Sequence, residues 1–373
     1  MATVAYVDHS YHRSTRSTEF LAELLVRHGH QVQVFWDDAW KGGAPVPWSE
    51  VRGHDVVIMF QSYCQPDGPY FRLEHPNVVY VPMFDQFDFW RAPTSNLSAF
   101  WEPFQGSKVL NFSNALHCMS LGFGIASHFV RYYQGARRAV SAPQDGLHGF
   151  FWLRRETQVP WKSIRQLIGN ARFDSLHLHL AVDPGFPPAE LPTDEEIARH
   201  NITTSTWFDD KAELEAVMDR ANVFFASRPG EGIGQSFLEA MARGQCVVAP
   251  DQGTMNEYIL PGVNGLLYEL DDLRPVDFSC VHALGRCARD SVRAGRSQWE
   301  AAESALVRFL LTPSQALYAG KYQHPGLVAG PGAALAPVRS GLRAIAGRYA
   351  LFRKTRVLWH PLVKAVRHAV GRG

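Results

Sequence analysis

Residues 221–272 read ANVFFASRPGEGIGQSFLEAMARGQCVVAPDQGTMNEYILPGVNGLLYELDD, and the order of parts in this stretch decides the fold. Val223–Ala226 is a short apolar run of the kind that forms a buried strand. It ends in the loop Ser227-Arg228-Pro229-Gly230-Glu231-Gly232-Ile233-Gly234. A helix starts near Gly234 and stops before Gly244, a residue suited to the position just past a helix end. Cys246–Ala249 is the next strand, and a second glycine loop, Gly253-Thr254, follows it. Strand, helix and strand in this order imply a right-handed crossover and a parallel sheet. Gly230, Gly232 and Gly234 let the backbone come close to a ligand. The free N–H groups and positive end of the helix make its start an anion site. Glu231 and Glu239 flank that start, one in the loop and one on the helix. Two carboxylates beside an anion site repel a phosphate unless they bind something else, such as sugar hydroxyls.

The same alternation extends upstream. Strands are expected at 148–153, 175–181, 202–207, 222–226 and 245–249, with helices at 162–169, 210–220 and 234–243. Gly135–Gly149 holds Pro143 and Asp145-Gly146 with little apolar periodicity and marks a boundary between domains. Before it, Thr3–Val7, Val32–Trp36, Asp55–Phe60, Val78–Pro82 and Lys108–Phe112 read as strands. Ser17 stands before a helix with Phe20, Leu21, Leu24 and Leu25 on one side, closed by His28-Gly29. Ligands of such sheets bind beyond the C-terminal strand ends. The loops at 8–17, 61–70 and 83–93 are therefore expected to face a cleft.

Composition sets the frame for this pattern. The chain has 373 residues, 46% hydrophobic and 20% charged, which fits soluble globular domains. Cysteines stand at 64, 118, 246, 280 and 287 with no C-x-x-C pair, so no zinc or redox motif is expected. No basic segment leads into a long apolar run at the N-terminus, and no run of 18 apolar residues is present, so neither a signal peptide nor a membrane span is expected. Charge is uneven. The last acidic residue is Glu303, and 11 Lys and Arg follow it, leaving 26 basic against 36 acidic residues up to that point. Residues 338–373 place Leu342, Ile345, Tyr349 and Phe352 on one helical face beside Arg339, Arg343, Arg353 and Arg356. A basic amphipathic tail with aromatics suits an anionic membrane surface.

The motif E-G-x-G-x-x-x-L-E-A-M-A-x-G, followed by V-V-A and by G-x-x-x-E-Y-I-x-x-G-x-N-G-L-L, resembles the donor site of the family 4 retaining glycosyltransferases of the GT-B fold. The matching residues run from Glu231, Gly232 and Gly234 through Leu238, Glu239, Gly244 and Gly253 to Glu257, Tyr258, Ile259, Gly262, Asn264 and Gly265. Upstream, Phe151-Trp152-Leu153-Arg154-Arg155 resembles the strand and arginine that open the donor domain, and Lys162 resembles its lysine. The resemblance covers 146–272 well, 1–135 loosely and 304–373 not at all.

This resemblance implies an α/β chain with two Rossmann-like, doubly wound domains and a cleft between them. Residues 1–140 would be the acceptor-side domain and 146–310 the donor domain, with 311–337 a Gly/Pro/Ala-rich linker and 338–373 the tail. Glu231 would lie at the donor sugar and Glu239 at the ribose. Arg155 (or Arg154) and Lys162 would neutralise the diphosphate, with Gly232, Ile233, Gly234, Gly253, Thr254 and Glu257 completing the donor site. Charge that develops on a departing nucleoside diphosphate needs fixed positive partners. No D-x-D sequence is present, so no metal and no cofactor beyond the nucleotide-sugar substrate is expected.

The first domain departs from the family. The family's Gly-Gly loop after the first strand is absent from Asp8–Ser17, where Arg13 and Arg16 can hold a phosphate of the acceptor. The family's His-Asp pair becomes Phe84-Asp85, so Asp85 is the catalytic candidate there and His117 a further acceptor-side candidate. The expected protein is a cytoplasmic hexosyltransferase-like enzyme, peripheral on the inner membrane face. It would act on a glycan or lipid-linked acceptor in polysaccharide or glycolipid assembly, without nucleic acid. An epimerase or hydrolase of nucleotide-sugars, or a degenerate binding subunit, is the alternative.

Overall fold

The structure, a computed structural model, describes residues 1–62, 75–87, 101, 104, 106–135, 145–183 and 186–318. The expected tail at 338–373 and most of the linker lie outside these residues.

The first half runs β1 (Thr3–His9), α1 (His12–Thr15), α2 (Glu19–Arg27), β2 (Gln31–Asp37), α3 (Trp48–Val51), β3 (Val56–Phe60), β4 (Val78–Val81), β5 (Lys108–Asn111), α4 (Asn114–Gly122) and β6 (Ala126–Phe129). Its six strands are all parallel in the order β2-β1-β3-β4-β5-β6. The second half runs β7 (His148–Trp152), α5 (Trp161–Ile168), β8 (Ser175–His179), α6 (Asp194–His200), β9 (Ile202–Ser205), α7 (Lys211–Met218), β10 (Val223–Phe225), α8 (Gln235–Arg243), β11 (Cys246–Pro250), α9 (Met255–Tyr258) and β12 (Leu266–Tyr268). Its sheet is also all parallel, in the order β12-β11-β10-β7-β8-β9. Central strands such as β3 and β11 are buried along their whole length, as a sheet covered on both faces requires.

Strand order reverses between β1 and β3 in the first sheet and between β7 and β10 in the second. Chains leaving neighbouring strands at such points turn to opposite faces and open a crevice. The loops after β1, β7 and β10, with Gln61 at the end of β3, therefore frame the site.

Several elements were not anticipated, β6, β12, α6 and a long helix that follows β12 among them. β6 and β12 are short, and the turn signals at Pro261-Gly262 and Asn264-Gly265 masked β12. α6 is announced by a capping box in which Thr193 accepts from the Glu196 N–H and Glu196 accepts from the Thr193 N–H. α10 (Val281–Leu311) is the largest omission, at 31 residues and about 46 Å. Its start packs Val281 and Leu284 into the second core, where Gly285 lies against the Gly244 carbonyl. Its middle sets Trp299 among Phe20, Phe112 and Tyr132 of the first half. Its end is held by Lys108, whose ammonium donates to the Phe309, Leu310 and Thr312 carbonyls. Burial pulls Lys108 down to about 7, while these helix-end carbonyls favour the charged form. A last short helix, α11, spans Ser314–Tyr318.

Ser17 is not the cap of α2. Thr18 occupies that position without capping, because its hydroxyl donates to Asp8 instead.

Candidate active site

The chain leaving β7 carries Arg154 and Arg155, and the chain leaving β8 carries Asp183. Both guanidinium groups bond this one carboxylate, Arg154 at 3.1 Å and Arg155 through Nε at 2.7 Å. Arg154 lies over the Trp152 ring and Arg155 over Phe186. β10 leads into the loop of Arg228 and Glu231. Arg228 donates to Asp85 of the first half at 2.9 Å and to Glu231 at 3.3 Å. Three arginines and three carboxylates thus form one cluster that spans the cleft.

The cluster is little exposed, and this tunes its charges. Burial pushes the Glu231 carboxyl up from its ordinary range, Arg228 pulls it back down, and Asp85 pushes it up again. Burial works against charge on Arg228, but Glu231 and Asp85 overcome it and hold the guanidinium protonated. The outer oxygen Oδ1 of Asp85 is buried without a hydrogen-bond partner among the described residues.

The glycine loops are held to each other. The Glu231 N–H donates to the Gly253 carbonyl at 3.1 Å, and the buried Thr254 hydroxyl donates to the Glu231 carbonyl at 3.2 Å. The glycines make room for protein as well as for ligand. A Cβ on Gly232 would lie 2.9 Å from the Met83 sulfur, and one on Gly253 would lie 2.6 Å from the Phe84 ring. Gly234 has φ 77°, a left-handed conformation that starts α8 and costs a side-chain-bearing residue energy. Ile233 is buried beside it. Glu239, on the second turn of α8, lies within 3.5 Å of the Gln134 amide and 3.7 Å from the buried Arg243.

Other expected residues stand elsewhere. Glu257 was expected at the donor, but both its oxygens join the halves: they accept from the Ser113 hydroxyl and from the N–H groups of Asn114 and Ala115, at the start of α4. A carboxylate suits that helix N-terminus. Lys162 is exposed in the first turn of α5, with no described contact to the cluster. Arg13 is exposed on α1, and Arg16 pairs with Glu19 at 2.7 Å. His117 bonds the Ser127 hydroxyl at 2.8 Å and stacks on Phe129, and burial lowers its pKa. That position serves α4 and β6 packing rather than the cluster.

Arg228 and Asp183 were missed in the sequence. Arg228 stands three residues before Glu231, the spacing at which a loop cation can turn back on a carboxylate. Asp183 opens the sequence Asp-Pro-Gly, which reads as plain loop.

Known proteins resemble the chain in one stretch of sequence and in fold. Residues 156–280 match the family described as glycosyl transferases group 1. Arg154, Arg155 and Asp85 lie outside the matched stretch. No curated protein sequence matches the chain. Among solved structures, sucrose-phosphate synthase from Thermosynechococcus elongatus superposes with a TM-score of 0.59 at 13% identity, covering 86% of this chain and 100% of its own. A glycosyltransferase from Rickettsia africae gives 0.54 at 13% identity, covering 82% and 98%. The Anabaena protein HepE, solved with UDP, gives 0.52 at 14% identity, covering 81% and 100%. Two all-parallel six-stranded sheets with facing loops at their switch points place the chain on the GT-B fold, and its residues 156–280 match the glycosyl transferases group 1 family.

Proposed function

We propose that the chain is a retaining glycosyltransferase that moves a sugar from a nucleoside-diphosphate-sugar to a glycan or lipid-linked acceptor. The observation that carries this reading is the buried cluster in which Arg228 holds Asp85 and Glu231 together across the cleft. Glu231 meets the donor sugar, and Glu239, one helix turn further in, meets the ribose. Arg155 contacts Asp183 only through Nε, so the rest of its guanidinium is available to the diphosphate. Arg154 assists from the Trp152 ring, and Lys162 closes from α5. The N-terminus of α8 adds its free N–H groups. Together these supply the positive charge that a leaving diphosphate needs, without a metal at that position. No side chain is placed as a nucleophile. The acceptor hydroxyl attacks from the face the diphosphate leaves, and the diphosphate takes the hydroxyl proton. Asp85 and Glu231 stabilise the positive sugar carbon. A cell-surface polysaccharide or glycolipid is the acceptor class that fits a basic, amphipathic tail.

UDP-glucose, held by HepE in another of its structures, is the first donor to test. A true donor raises the melting temperature in proportion to the logarithm of its concentration. Glu231→Ala should keep the fold and lower turnover by roughly 100-fold or more, as the loss of a contact made only in the transition state does. Donor binding should be unchanged in EDTA. Wild-type turnover in the Glu231 variant removes that residue from the mechanism. Donor consumption without acceptor supports an epimerase or hydrolase instead.

A further inference from the structure

The chain leaving β1 holds a second polar cluster that donor chemistry does not use. Asp8 and His9 end the strand and His12 opens α1. Asp8 is fully buried. Its Oδ1 accepts from the His9 backbone N–H at 2.8 Å and meets His12 Nδ1 at 2.7 Å, and its Oδ2 accepts from the Thr18 hydroxyl at 2.5 Å. No lysine or arginine pairs with it among the described residues. The His9 and His12 rings lie 3.8 Å apart, centroid to centroid. His9 Nε2 meets the Gln61 side-chain oxygen at 3.2 Å, and its Nδ1 is buried without a hydrogen-bond partner among the described residues.

Two needs stand open here. A carboxylate out of water calls for a positive partner. A bare ring nitrogen out of water calls for a donor or a Lewis acid. One cation bound by all three residues meets both needs at once. One ligand atom from each of Asp8, His9 and His12 lies within 4.8 Å of the others.

We propose that Asp8, His9 and His12 bind one divalent first-row transition-metal ion, of which Zn²⁺ is the type. Two imidazoles and a carboxylate form a mixed nitrogen and oxygen set, which suits Zn²⁺ or Co²⁺, whereas Mg²⁺ and Ca²⁺ prefer oxygen ligands. The outer partners are in place. Gln61 accepts the Nε2 proton of His9 and so leaves Nδ1 bare for the metal, and Thr18 orients the carboxylate. At His12 the ion takes the place of the proton between Nδ1 and Asp8, and that proton, the one proton of the neutral ring, passes to Nε2. Three protein ligands leave a coordination position for a small oxygen donor. The site belongs to the first half. Gln61 leads from β3, its carbonyl accepts from Gln86, and Asp85 of the same short turn acts electrostatically on His9. The ion therefore stands beside the acceptor side of the cleft and makes no claim on the donor diphosphate.

The test uses the full chain, free of affinity tags and stripped by chelator, titrated with Zn²⁺ by calorimetry and with Co²⁺ by visible absorption. One ion per chain is expected. His9→Gln and His12→Gln should each weaken binding by at least about tenfold, the scale of lost metal-site partners. His282→Gln, on the exposed start of α10, should bind as the wild type does. His12 is buried, and its variant can fail to fold. The ¹⁵N ring resonances of the unsubstituted chain cover that case, because His9 and His12 alone should shift on adding one equivalent of Zn²⁺. Absence of stoichiometric binding, affinity unchanged in the His9 variant, or ring shifts at other histidines instead would each overturn the site.

Discussion

Arg228 is the residue on which the cleft depends most. Its guanidinium is the one described ion-pair partner of both Asp85 and Glu231, and all three side chains are about 14% exposed or less. Removing one member of a nearly buried network leaves the others charged and unpaired, which costs more than the pairing itself contributes. Arg228→Met should therefore destabilise the chain by about 3 kcal/mol. Adding Asp85→Asn should recover part of this loss, since one stranded charge is then gone. Urea unfolding of the three chains checks it, and a single variant as stable as the wild type refutes it. Glu231 and Glu239 could be singled out in the sequence because a motif fixes their spacing. Arg228 was not, because an arginine beside a glycine loop reads equally as a solvated charge until the partner from the other half is known. Asp8, His9 and His12 were overlooked for a similar reason. Two histidines three residues apart at a strand end converge only once β1 and α1 have set their directions.

At the scale of elements, short runs of four to seven residues announced ten of the strands near their observed positions, the central ones as the continuous hydrophobic signature that a doubly covered parallel sheet leaves. β6 carries Ser127 and His128 at its centre and lacks that signature. α10 was missed because its apolar face changes partner along its length, from the second core to the first. β8 supplies a prediction of its own. His177 bonds the Thr203 and Ser205 hydroxyls, and the fully buried His179 bonds the same Ser205 oxygen, each at 2.8 Å. Burial pulls both histidines from 6.5 down to about 4. In the unfolded chain they take up protons near pH 6.5, and in the fold they do so only near pH 4. The stability they confer is thus full above about 6.5 and is lost as pH falls from there to about 4. Chains carrying His177→Gln and His179→Gln should lose less stability between pH 7 and pH 4.5 than the wild type. Parallel unfolding curves at both pH values for the two chains would show that these histidines do not govern acid sensitivity.

At the scale of the whole molecule, the two halves are joined by particular contacts: Glu257 at the start of α4, Phe84 against Gly253, Met83 against Gly232, and α10 across both. Among the described residues no helix is long and apolar enough to cross a membrane. For a lipid-linked acceptor, residues 338–373 are the segment proposed to dock on the membrane surface. After Glu303 the chain has no acidic residue, and nine of the following 11 basic residues fall in this segment. Each Lys or Arg near an anionic leaflet adds about 1 kcal/mol, and salt screens it over about 8–10 Å. On the helix that the sequence pattern predicts there, Leu342, Ile345, Tyr349 and Phe352 would form an apolar face, with Trp359 as an interfacial aromatic. Charge alone would bind vesicles loosely and reversibly; an apolar face adds a component that salt does not remove. The full chain should sediment with phosphatidylserine vesicles, bind neutral phosphatidylcholine vesicles far less, and be released in part by high salt. A chain ending at residue 337 should stay in solution under all these conditions. Equal sedimentation of the two chains would mean that the tail does not dock on lipid, and that its basic residues serve contacts within the protein.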